Sequence, residues 1–107
     1  MALYMTQFAY TAEAWAALAK NPVDRSAGLN ALFEGVGGRL VGFYYCLGEY
    51  DGVVISEAPD TTAVAAALIA AVGAGHVKAI KTTSLLSAGE MVAALQKSAS
   101  LAYGAPK

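Results

Sequence analysis

The sequence predicts an α+β domain. Its expected core is a four-stranded antiparallel sheet in the order β-α-β-β-α-β, with an extra helix at the C-terminal end. Three observations carry this expectation. Strand-like and helix-like stretches alternate in that order over 107 residues, a length that suits one domain. Residues 38–57 read as a hairpin whose central residues are apolar or aromatic at nearly every position, which predicts strands covered on both faces and central in the sheet. The chain is 57% hydrophobic and only 14% charged, against about 25% charged in ordinary domains. One small core cannot absorb that excess, so a partner surface is expected, most simply a second copy of the chain.

Residues 2–10 hold Thr6 and Gln7 as their only polar side chains and read as the first strand. Thr11 is placed to cap a helix over Ala12–Lys20, a run of strong helix formers. Asn21-Pro22 is expected to end that helix and start a second. Asn21 would be its N-cap and Pro22 its first residue, where a missing N–H is harmless. Leu29, Leu32, Phe33 and Val36 share one helical face, and Gly37-Gly38 ends it.

The hairpin follows, with Gly48 and Glu49 as a tight turn. By alternation, Val41, Phe43, Tyr45 and Leu47 face one way, and Leu40, Gly42, Tyr44 and Cys46 the other. Tyr50 and Asp51 are read into the second strand. Asp60, after Pro59, caps a helix to about Val72 that is almost all alanine and valine, small enough to approach the sheet closely. Gly73 and Gly75 break it. Residues 76–83 form the most polar strand, expected at an edge. Ser87 and Glu90 are spaced as a capping box for a last helix near residues 88–100, with Met91 and Leu95 turned inward. The domain is expected over residues 1–102, with a frayed tail at 103–107.

This is the ferredoxin-like order. Right-handed crossovers put both main helices on one face of the sheet and leave the other bare. A second sheet of the same kind would cover it, giving a homodimer of the dimeric α/β-barrel type.

Several function classes are disfavoured. Net charge is −1, and the seven Lys and Arg are scattered, so no nucleic-acid footprint exists. The most apolar run, residues 63–75, is shorter than the roughly 20 residues a bilayer requires. The start lacks the basic residues of a secretory leader, and a single cysteine forms no intrachain disulfide, so a cytoplasmic setting is expected. Cys46 is expected to be a buried strand residue. No cofactor is expected, and no metal site, because no second soft ligand lies near His76.

Gly48-x-Tyr50-Asp51 followed by Val-Val-Ile-x-Glu-Ala-Pro-Asp at 53–60 resembles the signature of the GYD domain family. Gly37-Gly38-x-Leu40 with Phe43-Tyr44, and Gly75-x-Val77-Lys78 with Thr82, resemble its flanking pattern. The similarity spans about residues 2–100. It implies the dimeric α/β-barrel kind of fold and no particular reaction. Members of the family often carry Asn where this chain has His76, so a role for His76 would belong to a subset.

His76, the only histidine, could act as a general base near neutral pH; as a strand-start residue it could simply bond a backbone group, the reading favoured here. Tyr50 could donate to a bound carbonyl with Asp51 orienting it. Structurally, Tyr50 would pack at the sheet end and Asp51 would hold the turn, again the favoured reading. Trp15, Tyr10 and Tyr44 are candidate ligand contacts from an aromatic set that otherwise fills the core. Lys78 and Lys81 read as solvated strand charges. Two classes remain open. One is a homodimer binding a small apolar or aromatic molecule between the first helix and the sheet, with a cofactor-independent enzyme using Tyr50, Asp51 and His76 as its catalytic variant. The other is a non-catalytic oligomerisation or partner-binding module.

Overall fold

The computed structural model describes residues 1–104. The elements run β1 (Ala2–Tyr10), α1 (Ala12–Lys20), α2 (Ser26–Glu34), β2 (Arg39–Tyr45), β3 (Gly52–Ala58), α3 (Thr61–Gly73), β4 (Val77–Leu85) and α4 (Ala88–Ala99). All pairings are antiparallel, in the order β2-β3-β1-β4. The ferredoxin-like order is therefore as the sequence predicts, and β4 is an edge strand as expected. Residues 105–107, part of the expected tail, lie outside the described residues. Among the described residues no helix is long and apolar enough to cross a membrane.

The hairpin differs from expectation in three ways. It is not the central pair, because β2 is an edge and the centre is β3 with β1. It is not closed by a two-residue turn either: the strands end at Tyr45 and restart at Gly52, and residues 46–51 connect them. Asp51 N–H donates to the carbonyl of Phe8 on β1 at 2.8 Å while its own carbonyl accepts from Cys46 N–H at 2.9 Å, so residues 46 and 51 still meet and the turn proper is the segment between them. Finally, the register of β2 shifts between Leu40 and Gly42, leaving Val41 as a bulge. Alternation restarts there, so Leu40 and Phe43 pack into one core cluster instead of facing apart. Cys46 is exposed in the connection rather than buried in a strand.

One sheet face is packed. Tyr4, Thr6, Phe8 and Tyr10 of β1 and Val54, Ser56 and Ala58 of β3 are buried under the helices. α2 contributes Phe33 as its only buried residue, flanked by Leu29, Leu32 and Val36, and α3 contributes Val64 and Ala67. Gly52 is required by this packing, since a Cβ there would enter the ring of Phe8. No such cover lies on the opposite face, where Leu3, Met5, Val53 and Ile55 are half-buried beside the Arg39–Glu57 ion pair at 2.9 Å.

The caps follow the sequence closely, with one exception. Thr11 accepts from Ala14 N–H, Asp60 from Ala63 N–H, and Ser87 and Glu90 form the full capping box. Asn21, however, ends α1 instead of opening α2. α2 begins four residues after Pro22, where Asp24 Oδ1 accepts from Ser26 N–H at 2.9 Å. α2 ends as expected. Gly37 takes a left-handed φ of 83° and Gly38 N–H reaches back to the carbonyl of Phe33.

α4 corrects a further expectation: it buries none of its residues. Met91 and Leu95 are 46% and 61% exposed, not turned inward. The molecule measures 59 × 34 × 21 Å with a radius of gyration of 17.4 Å, against about 13 Å for a compact domain of this length. Its accessible surface is 7232 Å², where a compact monomer of its mass exposes about 5,600 Å².

Candidate functional site

A cavity of about 520 Å³ lies between the sheet and the helices. Its walls on α1 and α3 are chiefly alanine, including Ala14, Ala17, Ala67 and Ala71. The methyl groups are too short to meet across the gap, and this leaves the volume unfilled. The floor comes from β1 through Thr6, Phe8 and Tyr10, and the far side from Leu29 and Leu32 of α2. Such a volume, mostly apolar with a few polar groups, is typical of a small-molecule site.

Polar atoms enter at two levels. On the floor, Thr6 is buried and its hydroxyl lies 3.0 Å from that of Thr82 on β4. At the rim stand Asn21, Arg25 and His76, all exposed. Arg25 immediately precedes α2, and among the described residues it has no ion-pair partner. The carbonyl of His76 accepts from Thr11 N–H at 3.0 Å, which ties the entry of β4 to the start of α1 and leaves the ring at the rim. No Asp or Glu lines the cavity among the described residues.

The sequence candidates divide. His76 and Tyr10 line the cavity; Tyr50, Asp51, Trp15 and Tyr44 do not. Tyr10 is also the hub of an aromatic cluster. Its ring meets Phe8 at 5.0 Å and Trp15 at 5.1 Å, both edge-on, and its hydroxyl lies 3.1 Å from that of Tyr45. Burial first, and then the bond to Tyr45, push the Tyr10 phenol above its ordinary value, so it stays neutral at physiological pH.

Asp51 is committed to architecture. One carboxylate oxygen, Oδ2, accepts from Tyr10 N–H at 2.9 Å and from the Trp15 indole N–H at 3.3 Å. Together with Asp51 N–H on Phe8, this seals the end of β1 and locks α1 beside it. The expectation that Asp51 holds its own turn is thus replaced by a longer-range role. Tyr50 is half-buried in the connection, where its carbonyl accepts from the Cys46 thiol at 3.2 Å. Tyr44 is 67% exposed, and it pairs with Val53 on the face that no helix covers. Tyr50, Asp51 and His76 therefore do not converge on one site.

Sequence reasoning missed Thr6, Asn21 and Arg25. Thr6 was visible in principle, as one hydroxyl in the buried phase Tyr4-x-Thr6-x-Phe8-x-Tyr10. Arg25 was not, because a lone charge between two helices looks solvated. Among the described residues no group of three or more His, Cys, Asp and Glu side chains is gathered.

A solved structure shares this fold. The crystal structure of TTHA0845 from Thermus thermophilus is similar at a TM-score of 0.53 and 13% identity, covering 82% of this chain and 96% of that one. An uncharacterized NIPSNAP domain protein from Burkholderia xenovorans gives a TM-score of 0.46 and 15% identity, covering 82% and 95%. No curated protein matches the sequence. The family model of the GYD domain matches residues 4–95. The chain belongs to the GYD domain family.

Proposed function

We propose that this protein binds a small apolar or aromatic molecule in the cavity between α1, α3 and the sheet, and that it does so as a homodimer. The cavity carries the binding reading. Its size falls within the roughly 300–1,000 Å³ of ligand pockets, and its alanine walls leave it open in a fold that otherwise packs its helix face well. Binding is favoured over catalysis because Tyr50 and Asp51 lie outside the lining.

The dimer rests on area. The chain exposes about 1,600 Å² more than a compact monomer of its mass, which is the amount per chain that an obligate homodimer interface removes. The uncovered sheet face and the apolar side of α4 supply that surface. The same observation favours a second reading, a module whose role is assembly alone.

A neutral fluorescent probe, N-phenyl-1-naphthylamine, separates the two. Micromolar binding to the wild type and its loss in Ala71→Trp, which fills the cavity from α3, are the expected results. Equal binding by both proteins, or none by the wild type, leaves the assembly module. Sedimentation at micromolar concentration should give a dimer; a monomer removes the dimer from both readings.

A further inference from the structure

The rim of the cavity has a sign. Of its twenty-three lining residues, Arg25 and His76 are the two basic side chains, and no Asp or Glu is among them. The carboxylate nearest in sequence, Asp24, is turned to the amide of Ser26. The guanidinium of Arg25 therefore stands at the mouth of an apolar cavity without an internal counter-ion among the described residues. It is near enough to Tyr10 on the floor for its charge to oppose the rise of that phenol's pKa. The His76 ring offers an N–H in either protonation state, and its backbone is fixed by the Thr11 amide.

We propose that the ligand of this cavity is an amphipathic carboxylate, with its apolar body between α1 and α3 and its carboxylate at the rim on Arg25 and His76. The proposal rests on the cavity-binding reading above and adds the head group. The apolar walls select the body through removal of its surface from water. The planar fork of Arg25 matches a carboxylate with two parallel N–H donors. One permanent cation and one imidazole suit a singly charged head. An amine would meet like charge there and no acceptor carboxylate.

The test compares three ligands of one chain length, decanoate, decanol and decylamine, by calorimetry on the full chain below their aggregation concentrations. The expected order is decanoate about tenfold tighter than decanol, since a hydrogen bond to a charged group is stronger than one to a neutral hydroxyl and solvent screens part of the gain at an exposed rim. Decylamine should bind weakest. Arg25→Gln should bring decanoate down to about the level of decanol, with its fold checked by circular dichroism. Lys97→Gln, a charge change on α4, should preserve the preference. Decanoate and decanol binding equally, or a preference that survives in Arg25→Gln, would overturn the carboxylate head while leaving the cavity as a binding site. Failure of all three ligands to bind would overturn both.

Discussion

β1 and β4 lie side by side and each has nine residues, yet they have opposite fates. Five residues of β1 are buried, and none of β4 is. The difference does not come from hydrogen bonding, since the two strands share a ladder. It comes from how closely the helices pack: β1 is central and lies under them, whereas β4 is an edge that α3 meets across an unfilled gap. The cavity lies along that boundary, with Thr6 and Phe8 on its packed side and Val77 and Ile80 on its open side. Burial in this protein is thus set by how tightly a helix packs over a strand, and β4 and α4 are the elements left without a buried residue.

The sharpest way to break this comparison is to make equivalent truncations in the two halves. Phe33→Ala, in the packed half, removes a ring that is only 2% exposed and should destabilise by about 3–5 kcal/mol in urea unfolding. Leu95→Ala on α4 should change the stability of the monomer by less than about 0.5 kcal/mol. Similar losses from both would mean that α4 is packed by its own chain after all.

Asp51→Ala tests what holds the end of β1. It strands the amide of Tyr10 and the indole of Trp15, and a loss of about 1–3 kcal/mol is expected. Trp15 fluorescence should shift in the folded variant. An unchanged spectrum would show that the indole bond is not formed in solution.

A smaller effect than that of Phe33 or Asp51 belongs to a cap in the exposed half. Ser87→Ala removes the α4 cap and should cost about 1 kcal/mol of helix stability. Acidity reports the same cap. The Ser87 amide, and then its hydroxyl, hold the Glu90 carboxyl below its ordinary value. A depressed folded pKa means the contribution is present above the unfolded glutamate value and is lost as pH falls through the folded one. Helical circular dichroism should therefore decline in acid in the wild type. In Ser87→Ala, where part of the coupling is gone, the decline should begin at higher pH.

Local signals in the sequence were legible. Strand and helix order, three of the caps and the edge position of β4 all follow from periodicity, side-chain oxygens at helix starts and polarity, which act within a few residues. What was not legible depends on distance. The hairpin looked central because Val41, Phe43, Tyr44 and Tyr45 are apolar; Phe43 and Tyr45 pack beside Phe8 on the helix side, but Val41 is a β-bulge and Tyr44 faces the uncovered side, so the run does not imply a strand on either flank. α4 looked inward-facing because Met91 and Leu95 are apolar, but nothing local says whether the covering surface belongs to the same chain. At the site, His76 and Tyr10 were recognisable as chemistry-bearing residues. Arg25 was not, because its significance lies only in the alanine-walled space it borders.

The seal that Asp51 places on β1 has a consequence for the hairpin tip. Because a carboxylate just ahead of β3 finishes the sheet, Leu47, Gly48 and Glu49 are exposed and hold no strand in place. The tip is consequently the natural point for splicing in a tag, a reporter peptide or a foreign epitope, with the sheet and the cavity beyond it left undisturbed.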